Sequence, residues 1–416
     1  MTPVSRAGRP VGDLGRLYAR GMPDLEGRGP HRADGARPVT LGATEGEAPA
    51  SVVAPPAHVP GLDGARALAT LSVFFFHALW RTPALAPLRP VLGHADIGVE
   101  VFFILSGFLV TRPLLAHAVL GGRAVSPVDF WRKRFARIWP AYLVALAGSV
   151  AIGVGTIDGA TGWLKHGLLL DSWFDDGGGT GLRVSWTLVV EVAFYACVLP
   201  LAAVVLLAGR RRMDAWILTC VGLLAFGSWA LALTTQHHTE PWVRVLPAYL
   251  PAFAAGMLLA VAELGDARGT WLGGVVRAVR RVAAHPLLCW GLAAGAFVTM
   301  VVVLEPSTSA PAFGLGRDRA IQSFLQVAIG LLLLAPLALR TVTVPFLSGR
   351  VLTALAAASF GFFLWHIQVL RGMRPLLDGS TPVALLGLAL AIGLSFLAGE
   401  ASRRYVEAPA RRVLTR

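Results

Sequence analysis

Charge is scarce in this chain. Asp, Glu, Lys and Arg make up only 15% of 416 residues while hydrophobic residues make up 55%, and the mean hydropathy is +0.63. A soluble domain carries roughly 25% charged residues, so a soluble globular protein is excluded. Cysteine is scarcer still. Cys197, Cys220 and Cys289 all fall in apolar stretches, an odd number with no C-x-x-C spacing. A disulfide framework is therefore excluded, and no metal site is expected. No Walker-type or dinucleotide-binding glycine pattern stands out, so nothing supports a nucleotide-driven pump.

What is present is apolar sequence in repeated lengths. Runs near membrane length recur at 65 to 80, 97 to 119, 138 to 157, 186 to 208, 214 to 234, 245 to 264, 284 to 304, 320 to 340, 351 to 370 and 383 to 402. Segments of this length and hydropathy predict about ten transmembrane helices. The expected fold is all-α, a polytopic integral membrane protein whose helices surround a polar central cavity, with the lipid bilayer as its first partner. Residues 1 to 57 differ: they are rich in Gly, Pro, Ala and Arg without apolar periodicity, and read as a disordered cytoplasmic tail. No secretory signal peptide is expected there. The transmembrane domain is expected over 58 to 412, with a short tail at 413 to 416.

Orientation follows from the basic residues. A cytoplasmic N-terminus places Arg132 to Arg137, Arg210 to Arg212, Arg277 to Arg281, Arg403, Arg404, Arg411 and Arg412 on the cytoplasmic side. A smaller set, including Arg81, Arg89, Arg183, Arg244, Arg371 and Arg374, falls on the opposite side. This positive-inside bias makes both termini cytoplasmic, in a cell (plasma) membrane. The formal charge of +13 then reads as topology and headgroup contact, and no nucleic-acid partner is expected.

Several polar groups interrupt the apolar runs. In GLDGARALATLSVFFFH (61 to 77), Arg66 and His77 stand eleven residues apart, close to three helical turns, on one face and roughly 16 Å apart along the axis. Ionisable groups at membrane depth face the protein interior or a watery cavity and mark functional paths; an interfacial histidine and a snorkelling arginine are the plainer reading. GVEVFFILSGFLVTRPLL (98 to 115) carries Glu100, Ser106 and Arg112, with Gly98 and Gly107 as small positions for close helix approach. FWRKRFARIWPAY (130 to 142) sets Arg132, Lys133, Arg134 and Arg137 among aromatics. It is either an interfacial anchor or a cationic mouth for a phosphorylated ligand. SWTLVVEVAFYACVLP (185 to 200) places Glu191 and Tyr195 one turn apart below Trp186, as a structural pair or as part of a site. SFGFFLWHIQVLR (359 to 371) adds Trp365 and His366, a pairing common in the interfacial aromatic belt.

The order of these motifs resembles the membrane-bound acyltransferase 3 family over residues 59 to 412. Members move acyl groups from coenzyme A thioesters to hydroxyls of extracytoplasmic glycans, lipids or natural products. GLDGARALATLSVFFFH resembles the family's opening signature, which places the Arg on Arg66 and the catalytic His on His77. GVEVFFILSGFLV is similar to the second-helix motif, with Glu100 at its acidic position, and FWRKRFARIWPAY resembles the basic segment that follows. SWTLVVEVAFYACVLP fits a Trp-Ser-Leu-x-x-Glu-x-x-Phe-Tyr pattern with Thr187 in place of Ser. SFGFFLWHIQVL is similar to a late Tyr-Leu-Trp-His-x-Pro motif with Gln368 in place of Pro. RRYVEAPARR (403 to 412) resembles the closing Glu-x-Pro-x-Arg segment.

The resemblance implies an O-acyltransferase that moves an acyl group, with acetyl the expected one, from cytoplasmic acyl-CoA to a carbohydrate or glycosylated small-molecule acceptor. No permanently bound cofactor is implied; acyl-CoA is a co-substrate. His77 is the expected general base, with Arg66 and Glu191 as further catalytic residues and Glu191 or Glu100 able to fix the His77 tautomer. Arg112, Arg132, Lys133, Arg134 and Arg137 are the expected acyl-CoA ligands, and Glu100, Trp186, Tyr195 and His366 the expected acceptor ligands. Arg66, His77, Glu191 and Tyr195 are expected in one cavity bounded by the first, second and fourth spans. A transporter or flippase of a polar or lipid-linked substrate is the competing class, since buried Arg, Glu and His also suit coupled transport.

Overall fold

Backbone amides at membrane depth find partners only inside helices or closed barrels, and this sequence takes the helical route. The computed structural model describes Val59 and residues 61–120, 124–174, 181–236, 244–265, 269–304 and 317–415. The expected tail over 1 to 57 lies outside the described residues. Twelve principal helices follow one another: α1 Leu62–Leu79, α2 Ile97–Leu120, α3 Pro127–Ala151, α4 Ser185–Leu206, α5 Arg212–Gln236, α6 Leu246–Leu264, α7 Gly273–Ala283, α8 Pro286–Val303, α9 Arg317–Ala338, α10 Arg350–Gly372, α11 Thr381–Ser402 and α12 Ala408–Leu414. Starts are written in the sequence. Proline occupies the first turn of α3, α6, α8 and α11, where its missing N–H costs no intrahelical bond. Ser126 caps α3, its hydroxyl accepting from the Asp129 amide at 3.4 Å.

Among the described residues nine helices are long and apolar enough to cross a membrane, one fewer than the ten runs. The difference is α3. Its helix starts at Pro127 and stops at Ala151, so the basic segment fills its first half and the expected continuation to 157 is irregular chain. At the other end of the chain, the expected short tail from 413 begins inside α12, which extends to Leu414.

Helix association in a membrane relies on close packing, which small residues permit. α2 is the hub, packed on α1, α4, α6 and α9, while α10 joins α1 to α11. A Cβ at Gly98 would strike the Ala69 carbonyl of α1, and one at Gly107 would strike the Phe253 carbonyl of α6. Both glycines anticipated from the sequence are therefore crossing points. Gly256 of α6 answers Gly107 by approaching the Ile104 carbonyl in the same way. After α11 a π-helical turn, Arg403–Glu407, swings α12 against α3 and buries Glu407, which accepts from Arg411 at 3.2 Å.

Candidate active site

Two adjoining chambers open on Arg66 and His77 of α1. The His77 chamber is lined by Asp96, Val99 and Glu100 of the α2 start, Arg183, Trp186 and Thr187 around the α4 start, Arg244, Tyr249, Gln326 and Phe363. The Arg66 chamber is lined by Val99, Phe102 and Ser106 of α2, Arg137 of α3, Thr187, Leu188 and Glu191 of α4, and Ser359 and Phe363 of α10. Val99, Thr187 and Phe363 line both, so one layer of side chains separates them. The single cavity expected between the first, second and fourth spans is thus divided, and α10 closes it. Two β-branched side chains and an aromatic ring supply the partition.

His77 has its tautomer set from two sides, by the Val73 carbonyl of its own helix and by a neighbour from α10. His366 Nδ1 lies 2.7 Å from the Phe363 carbonyl, which can only accept, so that nitrogen carries the proton. In the neutral ring, His366 Nε2 is then an acceptor. It lies 3.0 Å from His77 Nδ1, which also sits 3.0 Å from the Val73 carbonyl. His77 Nδ1 must donate to both, and its Nε2 keeps a free lone pair with no hydrogen-bond partner among the described residues. A neutral imidazole with one nitrogen held and the other open to a chamber is the arrangement of a general base.

His366 itself is buried against Phe74, Phe362 and Phe363, with ring centroids 5.7 to 6.4 Å away. It is buried among these rings and is not among the residues lining either chamber, so it stands behind His77 and not at the acceptor position expected of it. It also takes the tautomer-fixing position expected of Glu191 or Glu100. Gln368, where the motif has Pro, lies inside an unbroken α10; proline there would remove an intrahelical donor.

Glu191 anchors the second chamber. Ser106 donates to its Oε1 at 2.8 Å, and the Tyr195 hydroxyl donates to the same oxygen from one turn below. Tyr195 is buried behind the wall, with the Arg134 guanidinium 5.0 Å over its ring. Arg66 faces the charges of Arg137, Asp63 and Glu191. Two guanidinium groups, one carboxylate and two serine hydroxyls therefore share this space with aromatic rings.

The remaining expected ligands divide. Arg137 lines the Arg66 chamber, Lys133 is exposed, and Arg132 pairs with Asp129 at 3.2 Å near the surface. Arg112 stands apart. Its guanidinium clasps Glu263 of α6 through contacts of 2.6 and 3.0 Å, and Arg340 joins that carboxylate at 3.3 Å. A bidentate pair with a carboxylate thus occupies a group expected among the acyl-CoA ligands.

Glu100 and Trp186 do line the His77 chamber, and Trp186 stacks toward Tyr249 with centroids 5.3 Å apart. Sequence reasoning missed Asp96, Arg183, Arg244, Tyr249 and Gln326. Asp96 carried a signal, standing one turn before Glu100, and Gln326 donates to it at 2.6 Å. Tyr249 and Gln326 sit in stretches without a motif, and only folding brings them here.

Residues 59–400 match the model of the acyltransferase domain family, a span that includes every helix lining the two chambers. The chain belongs to that family. Among its relatives, the peptidoglycan O-acetyltransferase OatA of Listeria monocytogenes is 24% identical over 385 residues, covering 85% of this chain and 56% of that protein. The O-acetyltransferase OatA of Staphylococcus aureus (strain NCTC 8325) is 33% identical over 90 residues, 21% of this chain and 13% of that protein. This acyltransferase-family chain thus spans about half the length of the Listeria relative. No solved structure matches it.

Proposed function

We propose that this chain is an O-acyltransferase of the plasma membrane that passes an acetyl group from acetyl-CoA to a hydroxyl of an extracytoplasmic glycan. The observation that carries the reading is the pair of chambers meeting at Val99, Thr187 and Phe363, one opening on His77 and the other on Arg66. Two substrates entering from opposite faces can bring their reacting ends to that partition. The peptidoglycan O-acetyltransferase name of the Listeria relative favours peptidoglycan glycan chains as the acceptor. Each chamber holds about 70 Å³, which favours a short acyl group over a long chain.

Chemically, the acceptor hydroxyl gives its proton to His77 Nε2 as its oxygen attacks the thioester carbonyl. The carbon–sulfur bond breaks, and the thiolate leaves toward the guanidinium groups of Arg66 and Arg137. The imidazolium then returns the proton to the thiolate. Direct transfer is favoured because, among the described residues, no serine or cysteine nucleophile stands beside this base. Lys133 and Arg132 lie where the coenzyme phosphates would enter, and charge-assisted bonds suit guanidinium to phosphate. The polar and aromatic lining of the His77 chamber, with Asp96, Glu100, Trp186 and Tyr249, suits sugar hydroxyls and ring faces.

The test is turnover without a gradient. Protein in nanodiscs is given acetyl-CoA and soluble peptidoglycan fragments, and acetylated fragments and free thiol are measured. Stoichiometric appearance of both supports acyl transfer. No product, together with fragment movement across a proteoliposome membrane, would replace it with the transporter or flippase reading.

A further inference from the structure

Beyond the His77 chamber, at the end of α1, lies a groove of about 860 Å³ that the acyl-transfer chemistry does not use. Arg81, Arg89, Arg371 and Arg374 line it, with Trp80, Thr82 and a single carboxylate, Asp378. Convergence of four guanidinium groups on one groove is costly without an anion between them. The one acid present is taken, since Arg374 holds Asp378 at 3.1 Å. Arg81, Arg89 and Arg371 have no carboxylate within ion-pair distance among the described residues.

The groove is built rather than incidental. Arg81 donates one N–H to the His77 carbonyl at 2.8 Å, and Arg371 donates one to the Val154 carbonyl at 2.6 Å. Each guanidinium has five N–H donors, so both are fixed in place with donors to spare. Arg89 lies 5.1 Å over the Trp80 ring, which holds it at the rim. Thr82, 1% exposed, has a hydroxyl with no hydrogen-bond partner among the described residues, and the same is true of the Trp80 indole N–H. A buried polar group without a partner costs free energy unless a ligand supplies one. The electrostatics agree, because burial, with Arg183 and Arg371 nearby, lowers Arg81 to about 10.

We propose that this groove is a phosphate site, in which Arg81, Arg89 and Arg371 with the Thr82 hydroxyl bind a phosphate group carried by a lipid headgroup or by a soluble phosphorylated molecule. Phosphate is the fitting oxyanion because it offers several acceptor oxygens to converging guanidinium forks. The site stands apart from acyl transfer, so it can hold even if the reaction proposed above does not. Its link to the reaction centre is the Arg81 bond to the His77 carbonyl.

Inorganic pyrophosphate is the probe, titrated calorimetrically into full-length protein in phosphatidylcholine nanodiscs. Saturable binding that weakens with salt is expected, and Arg371→Gln and Arg89→Gln should each weaken it by about tenfold, the loss of one charge-assisted contact. Arg89 is exposed, so its variant keeps the test sound if Arg371→Gln misfolds. Repeating the titration in phosphatidylglycerol nanodiscs separates the sources. Loss of apparent binding there identifies a lipid headgroup as occupant, and unchanged binding identifies a soluble phosphate. Absence of saturable binding, or binding lost in Arg132→Gln and Arg137→Gln but intact in both groove variants, overturns the proposal.

Discussion

His366 Nε2 lies 3.0 Å from His77 Nδ1, and the Phe363 carbonyl behind His366 settles which of the two donates. The consequence is an imidazole whose open nitrogen is selected both by its own helix, through the Val73 carbonyl, and by a second histidine on another helix. Many histidine bases are oriented by a carboxylate or a backbone carbonyl. Here a neutral ring at membrane depth joins a backbone carbonyl in that task, without placing a further charge in a low-dielectric interior, where an ionised partner would be costly.

Removing that partner should slow chemistry without weakening binding. His366→Phe leaves His77 Nδ1 with only the Val73 carbonyl, and kcat is expected to fall about 10- to 100-fold, part of what general-base catalysis supplies. KM for either substrate should change little. His366→Gln, which can offer an acceptor oxygen, should recover part of the rate. Steady-state kinetics on purified variants check this, and a fall confined to KM would assign His366 to substrate binding instead.

Arg112 is expected to act on stability. Breaking a buried ion pair from one side typically costs about 3 to 5 kcal/mol, whereas replacing both partners by apolar residues is often neutral. Arg112→Met alone should lower the melting temperature in detergent, and Arg112→Met with Glu263→Leu should recover most of it. Acetyl-CoA affinity should be the same in both folded variants as in the parent. A selective loss of donor affinity would return Arg112 to the binding site.

The helix crossings give a prediction about packing. Gly107→Val forces a side chain into the Phe253 carbonyl, where the backbone cannot yield, and is expected to cost more than the 1 to 3 kcal/mol of ordinary overpacking, about enough to prevent folding. Gly222→Ala on α5 meets nothing within 4 Å and should be silent. Fluorescence-detected size exclusion separates the two, with a monodisperse peak expected only for Gly222→Ala.

Much of this was readable from the residues. Hydropathy runs located the helices because lipid imposes one length and one polarity, and Gly98 and Gly107 announced crossings because only small residues let backbones meet. The exception among the runs was α3, where aromatic and basic residues alternate and hydropathy alone does not mark a span. Arg66 and Glu191 could be paired in advance, since each is a polar group needing an interior partner. The His77 to His366 contact could not. The two residues are 289 positions apart, and a lone histidine near the end of an apolar run looks the same whether it faces headgroups or another helix. The Arg112 to Glu263 pair was hidden for the same reason, since Glu263 lies at the end of a run with no motif to mark it as a partner.

The chamber around Glu191 offers a test of division of labour. Tyr195→Phe removes one of two donors to the carboxylate and should cost about 1 kcal/mol of stability while leaving measurable activity. Glu191→Ala also removes the charge facing Arg66, and should lower turnover much more than Tyr195→Phe. Parallel melts and turnover assays distinguish them. Equal loss of activity in the two variants would make the pair a single structural lock.

The central claim is that His77 is the base, and the most direct measurement of it works whichever hydroxyl accepts the acyl group. A strain lacking the gene is complemented with the parent protein or with His77→Ala, membrane abundance is matched by immunoblot, and cell-wall glycans and metabolites are compared by mass spectrometry. The account predicts acetylated species with the parent protein and none with His77→Ala at equal abundance. Acetylated species restored to parental levels by His77→Ala would contradict it.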